Sequence, residues 1–287
     1  MRLPSIHEAL AEASRRLEQE GVLHPFWDAL LLLCDVTHLD KAILLGHQER
    51  LLSFGENQAF ALLIARRLAR EPLQYIRGKQ EFWGRPIEVG PGCLIPRPET
   101  EHLVESALCC IKEAESPRVL EVGTGSGCVI AALASERPDG IFFGVDVDEK
   151  ALEWTRQNTA ALPNVRLARC DVNAPCPFRR LDLIVSNPPY ITQDEWPELM
   201  PEVRDYEPRA ALLLEEGDPL KPYRALARWA EASLEPGGHL AAEIGTAQAK
   251  RAAALRALSP SLEWQHGTRD LAGHLRVALW RRNNVTR

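Results

Sequence analysis

Asn187-Pro188-Pro189-Tyr190 follows directly on an apolar run at 181–186, LDLIVS. A residue before proline is pushed to extended backbone. Proline itself has a fixed φ and no N–H. The turn is therefore stiff, and its carbonyls meet no competing local donor. Asn187 Oδ1 and the Pro188 carbonyl can stand as a fixed pair of acceptors, with Tyr190 as a flat wall. Such a group suits a planar NH2: two N–H donors, two acceptors and one face to pack. As a bare tetrapeptide NPPY reads as a strand-ending turn, so its chemical reading depends on what lies around it.

A second constellation stands upstream, Glu121-Val-Gly123-Thr124-Gly125-Ser126-Gly127. Glycines at a strand-to-helix turn allow close backbone approach to a ligand and positive φ. The spacing is G-x-G-x-G, without the third glycine of G-x-G-x-x-G, which disfavours a pyrophosphate. A cofactor bearing a carboxylate, an amine and a sulfonium would need an acid nearby, and Glu121 can supply it. Asp146 lies 23 residues beyond Gly123, where ribose hydroxyls are bound in such sheets. Its other reading, helix capping, suits Asp148 better. Asp171 can accept from an adenine amino group and Val172 can pack on the ring. With a methyl sulfonium on one side and a gripped NH2 on the other, the implied chemistry is methylation of a weak nitrogen nucleophile. An amide nitrogen is weak because its lone pair is delocalised, as the ~18–20 kcal/mol rotation barrier shows. No Ser-His-Asp arrangement or metal cluster is evident.

These residues need a sheet to bring them together. From 118 onward strands and helices alternate, with strands expected at 118–122, 141–145, 165–169, 181–185, 239–244, 262–266 and 275–280. Helices fit at 127–136, 149–161, 219–234 and 246–258. Between the last two strands lie only eight residues, GTRDLAGH, too few for a parallel crossover. The expected fold class is therefore α/β: a seven-stranded Rossmann-like sheet of the kind found in S-adenosylmethionine (SAM)-dependent methyltransferases, with its last strand antiparallel. Residues 1–74 read as helices, with capping boxes at Ser5/Glu8 and Ser53/Glu56 and a helix start at Pro25. The organisation expected is a helical domain at 1–74, a hairpin-containing connector at 75–97 and the methyltransferase domain at 98–287.

Composition bounds the rest. The 287 residues carry a formal net charge of −6, and the first 74 hold eight Lys/Arg against ten Asp/Glu. This gives no basic arm for nucleic acid. No stretch is apolar enough to span a bilayer and no signal peptide is evident, so a cytoplasmic protein is expected. The seven cysteines, an odd count without C-x-x-C, read as small buried hydrophobes with free thiols.

The chain resembles the peptide chain release factor glutamine methyltransferases, the HemK/PrmC family. The resemblance rests on EPLQYIRGKQEFWG (71–84), LIPRPETE (94–101), EVGTGSG, SNPPY, VRDYEPRAAL (203–212), EIG (243–245) and DLAGHLRV (270–277). It implies methyl transfer from SAM, leaving S-adenosylhomocysteine, to the side-chain N5 of the glutamine in the Gly-Gly-Gln motif of class 1 release factors. Charge, hydropathy and motifs point to no nucleic-acid substrate, no metal and no membrane, and a monomer is expected. Mapped onto this chain, Glu121, Gly123, Thr124, Gly125, Ser126, Gly127, Asp146, Asp171, Val172 and Asn187 would contact the cofactor. Asn187, Pro188, Pro189 and Tyr190 would hold the glutamine. Family members often have an aromatic residue at the position of Val172. Beyond YEPRAAL this chain has LLLEEGDPLKPY where the family is glycine-rich, and keeps only Gly217-Asp218. In PRPETE, Pro98 can simply start a helix with acids in its first turn; the sharper reading puts Arg97 and Thr100 near the cofactor or incoming peptide.

Two rivals remain at this level. An adenine-N6 methyltransferase of DNA or RNA would also grip a planar NH2, but should carry a basic groove or a recognition domain. A non-catalytic methyltransferase-like binding protein should show a broken glycine turn or a lost NPPY, and both are intact.

Overall fold

The structure, a computed structural model, describes residues 2–214, 218–270 and 272–283. Gly217 and Leu271 lie outside the described residues. Along the chain run α1 (Ile6–Gln19), α2 (Pro25–Thr37), α3 (Lys41–Gly46), α4 (Phe54–Leu68), α5 (Leu73–Arg77), β1 (Lys79–Phe82) and β2 (Arg85–Glu88). Then follow α6 (Glu101–Cys110), β3 (Arg118–Val122), α7 (Cys128–Glu136), β4 (Ile141–Asp146), α8 (Glu149–Thr159), β5 (Val165–Arg169) and β6 (Leu181–Ser186). Next come α9 (Pro201–Tyr206), α10 (Arg209–Leu212), α11 (Lys221–Ser233), β7 (Leu234–Glu243), α12 (Thr246–Ala249), α13 (Ala252–Arg256), β8 (Leu262–Arg269) and β9 (Leu275–Arg282). The chain forms two compact units: Met1–Lys79 with Met200–Tyr206, and Gln80–Leu199 with Glu207–Arg287.

In the first unit both capping boxes are closed: Ser5 accepts from Glu8 N while Glu8 accepts from Ser5 N, and Ser53 and Glu56 do the same. Each pair satisfies two orphan donors at a helix start. The apolar faces of α1, α2 and α4 meet in one core that includes Ile6, Leu10, Leu17, Leu30, Leu33, Phe60 and Ile64. Arg67 is buried and holds Asp28 at 2.7 Å and Glu202 at 2.8 Å. Arg70 adds a second contact to Glu202 at 2.6 Å. Residues 75–77, read from sequence as the start of a connector, close α5 instead. Gly78 stops that helix in the left-handed region at φ 73°.

The second unit is built on a seven-stranded sheet of order β5-β4-β3-β6-β7-β9-β8. β3 pairs in parallel with β4 and β6, β4 with β5, and β6 with β7, whereas β9 is antiparallel to both β7 and β8. The short final connection thus produces the reversed strand that its length required. On one side the sheet packs Leu220, Tyr223, Leu226 and Trp229 with Leu240 and Trp280. The helix expected at 246–258 is broken into α12 and α13. Arg251 leaves helical geometry at φ −105°, ψ 26°, next to Gln248, whose buried Nε2 donates to the Tyr190 carbonyl at 3.2 Å.

Candidate active site

The strand order reverses beside β3: β4 and β5 lie on one side of it and β6 on the other. Ligands in open α/β sheets bind outside the carboxyl ends of strands at such a switch point. The register shows what the chain delivers there. Val122 is level with Val145 and with Ser186, and Ser186 with Ala242. One residue further on, the four strands present Gly123, Asp146, Asn187 and Glu243 at a common level.

A cavity of about 420 Å³ opens at this edge. Its walls include every residue from Glu121 to Ser126, Asp146, Asp171, Val172, Asn187, Pro188 and Pro189. Gly123, Gly125 and Gly127 all have positive φ, at 77°, 54° and 79°. Side chains rarely adopt that region. At Gly123 and Gly125 an added Cβ would meet nothing within 4 Å, so the turn leaves an open cradle. At Gly127, the N-cap of α7 rather than its first helical residue, a Cβ would sit 2.9 Å from the Thr155 Cα. Here glycine is required both by conformation and by packing.

Asp146 serves two neighbours. Its Oδ2 accepts from Gly125 N and its Oδ1 from Asp148 N, both at 3.0 Å. Burial raises the pKa of the carboxyl, against these N–H groups. Asp148 caps α8, accepting from Lys150 N. Glu121 is more committed than its sequence position suggested. Its Oε2 accepts from Ile130 N at 2.9 Å, and burial pushes its pKa well above the usual carboxylate range. Asp171 lines the cavity, and its Oδ1 accepts from Asn173 N at 2.8 Å.

On the opposite wall Asn187 Nδ2 lies 3.4 Å from Thr100 Oγ1. Tyr190 is not part of the cavity wall. Its hydroxyl donates to Glu243 Oε1 at 3.4 Å, and its ring packs against Gly245, where an added Cβ would come within 2.7 Å of Cδ2. Arg97 does line the cavity and is ion-paired with Glu207, which also accepts from Ile95 N at 3.0 Å. This joins the PRPETE and YEPR segments into one wall. Sequence reasoning gave no role to Glu207 or Glu243. The available signal was an acid within an otherwise apolar strand, HLAAEI, and an acid fixed between Tyr206 and Pro208.

The reversed strand, the switch-point cavity and the glycine cradle define the class: a SAM-dependent methyltransferase. The cradle fits SAM on its own terms, with open glycine backbone, the half-buried carboxylate of Asp146 and the apolar Val172 side chain lining one cavity. Comparisons with known proteins narrow the class. The family model "PrmC N-terminal domain" matches residues 8–78, and "Methyltransferase small domain" matches residues 103–202. The release factor glutamine methyltransferase of Cereibacter sphaeroides is 41% identical over 251 residues, covering 86% of this chain and 88% of that protein. The protein of the same name from Vibrio cholerae is 37% identical over 282 residues, covering 96% of each. That from Nitratidesulfovibrio vulgaris is 37% identical over 280 residues, covering 96% and 94%. The chain belongs to the release factor glutamine methyltransferase family. No helix among the described residues is long and apolar enough to cross a membrane.

Proposed function

We propose that the enzyme methylates the side-chain N5 of the glutamine in the Gly-Gly-Gln motif of class 1 peptide chain release factors, acting in the cytoplasm as a monomer. The observation that carries the reading is the single cavity that joins the glycine cradle to Asn187-Pro188-Pro189; the names of its relatives point the same way. SAM, when bound, supplies a methyl group on a positively charged sulfur.

The chain's own residues do the rest. Gly123, Gly125 and Asp146 hold the cofactor at the sheet edge, with Asp171 and Val172 at the adenine. Asn187 Oδ1 and the Pro188 carbonyl accept the two N–H bonds of the acceptor amide and orient its nitrogen. As that nitrogen gains positive charge, the same bonds become charge-assisted and bind the transition state better than the ground state. No general base is needed, because a methylated amide cation loses its proton readily to water. The helical unit presents the docking surface for the release factor, and the target glutamine enters as a thin loop whose flanking glycines have no side chains to clash. A net charge of −6 disfavours a nucleic-acid duplex.

The test is transfer of labelled methyl from SAM to purified release factor, with DNA and rRNA in parallel. Label should enter the release factor and vanish when the Gly-Gly-Gln glutamine is replaced by Ala. Label retained by that variant, or entering nucleic acid at a comparable rate, overturns the substrate assignment.

A further inference from the structure

Asn187 grips an NH2 group only if its carboxamide presents oxygen, not nitrogen, to the cavity. The two ends have the same shape and opposite chemistry, so something must fix the choice. The register places the fixing group: with Ser186 level with Ala242, Asn187 and Glu243 are the next residues on neighbouring strands. Glu243 is an acid only 2% exposed at the end of an apolar run. Tyr190 Oη donates to its Oε1. The Thr100 hydroxyl, 3.4 Å from Asn187 Nδ2, also favours the charged form of this carboxyl. Oε2 is buried and, among the described residues, has no partner at full hydrogen-bond geometry, so it has acceptor capacity to spare.

We propose that Glu243 and Thr100 form a positioning relay that sets the direction of the Asn187 amide. The proposal rests on the reading of Asn187 given above. An ionised carboxylate only accepts, and a hydroxyl has one proton. Thr100 therefore spends its proton on Glu243 and turns a lone pair to Asn187. Asn187 must meet it with Nδ2–H, at 3.4 Å, which leaves Oδ1 for the acceptor amide. With a neutral partner able to donate, the relay can run the other way and Asn187 would present N–H to N–H.

The relay should respond to pH. Burial lifts the Glu243 pKa to about 7, opposed by Thr100, Tyr190 and Arg276 of β9 and reinforced by Glu99. Tyr223 of α11 donates to its main-chain carbonyl, and Cys128 of α7 is a further titratable neighbour. The carboxylate that the relay needs forms as pH rises through about 7.

The experiment compares Glu243→Gln, Thr100→Val, Thr100→Ser and Asn187→Ala with the parent enzyme, using steady-state methylation of release factor, SAM affinity by calorimetry and thermal unfolding. Groups that orient metal ligands carry about ten- to a hundredfold in activity, and the same scale is taken for a group that orients Asn187. That loss is expected in kcat for Glu243→Gln and Thr100→Val, with KM and SAM affinity within about threefold. Thr100→Ser should recover most of what Thr100→Val loses. The kcat/KM of the parent should rise between about pH 6 and about pH 8, and this limb should be absent in Glu243→Gln. If Asn187→Ala is inactive while Glu243→Gln and Thr100→Val keep parental kcat, the relay is wrong and the reading of Asn187 stands. If Asn187→Ala keeps parental kcat, that reading fails and the relay falls with it. A loss of kcat in Glu243→Gln that Thr100→Val does not share also overturns the relay.

Discussion

Replacing Asp146 by Ala separates cofactor binding from turn building. Each carboxylate oxygen has about two acceptor sites, and one on each is already taken, by Gly125 N and by Asp148 N. One further hydroxyl per oxygen can be accommodated, which matches the two hydroxyls of a ribose. A hydrogen bond to a charged group contributes about 1.5–3 kcal/mol. Losing both should therefore cost about 3–6 kcal/mol in SAM affinity, roughly a hundred- to ten-thousandfold in Kd at 1.4 kcal/mol per tenfold. The same change leaves the Gly125 and Asp148 N–H groups without their acceptor, so unfolding should occur a few degrees lower, at roughly 2–4 °C per kcal/mol for a domain of this size. Asp146→Asn keeps one acceptor oxygen and should fall between parent and Ala. The assay is calorimetry with S-adenosylhomocysteine alongside thermal unfolding. A Kd within about threefold of the parent, together with a lowered Tm, would refute the ribose assignment and leave Asp146 as a brace for the glycine turn.

Gly127→Ala should destabilise more than Gly123→Ala in thermal unfolding. Both positions have positive φ, but only at 127 does the new Cβ meet backbone, 2.9 Å from the Thr155 Cα; equal losses would deny the packing argument. In the helical unit Arg67→Ala should cost about 3–5 kcal/mol in urea unfolding, the range for stripping one partner from a buried ion pair, because Asp28 and Glu202 stay behind in the interior. A loss under about 1 kcal/mol would show that water repairs the site. Glu243 is held protonated in the fold up to about 7, above its ordinary 4.5. The folded state thus binds a proton that the unfolded chain has released, and stability should fall as pH rises from about 4.5 to about 7. Glu243→Gln should remove that slope, and an unchanged pH–Tm curve would argue against burial of the charge.

The strands and the reversal of β9 could be read in advance because they rest on local signals: apolar runs of strand length and a connection too short to cross the sheet. The glycine turn, Asp146, Asp171 and Asn187 were placed by the rule that such residues follow parallel strands, and the cavity gathers them. What the sequence did not disclose depends on register. Glu243 acquires its setting only because β6 and β7 align Ser186 with Ala242, a tertiary fact that no spacing encodes. The pairing of Arg97 with Glu207 spans 110 residues and joins two loops that have no periodicity. Tyr190 was expected as a wall of the site. Its ring packs on Gly245 and its hydroxyl reaches Glu243, contacts made only in the tertiary fold.

The central claim is that the Asn187 turn holds a glutamine side chain for methylation. The most direct measurement is fragmentation mass spectrometry of release factor incubated with SAM and either the parent enzyme or Asn187→Ala. One added methyl group is expected, localised to the side-chain nitrogen of the Gly-Gly-Gln glutamine with the parent enzyme and nearly absent with Asn187→Ala. A methyl group on any other residue, or undiminished modification by Asn187→Ala, would contradict it.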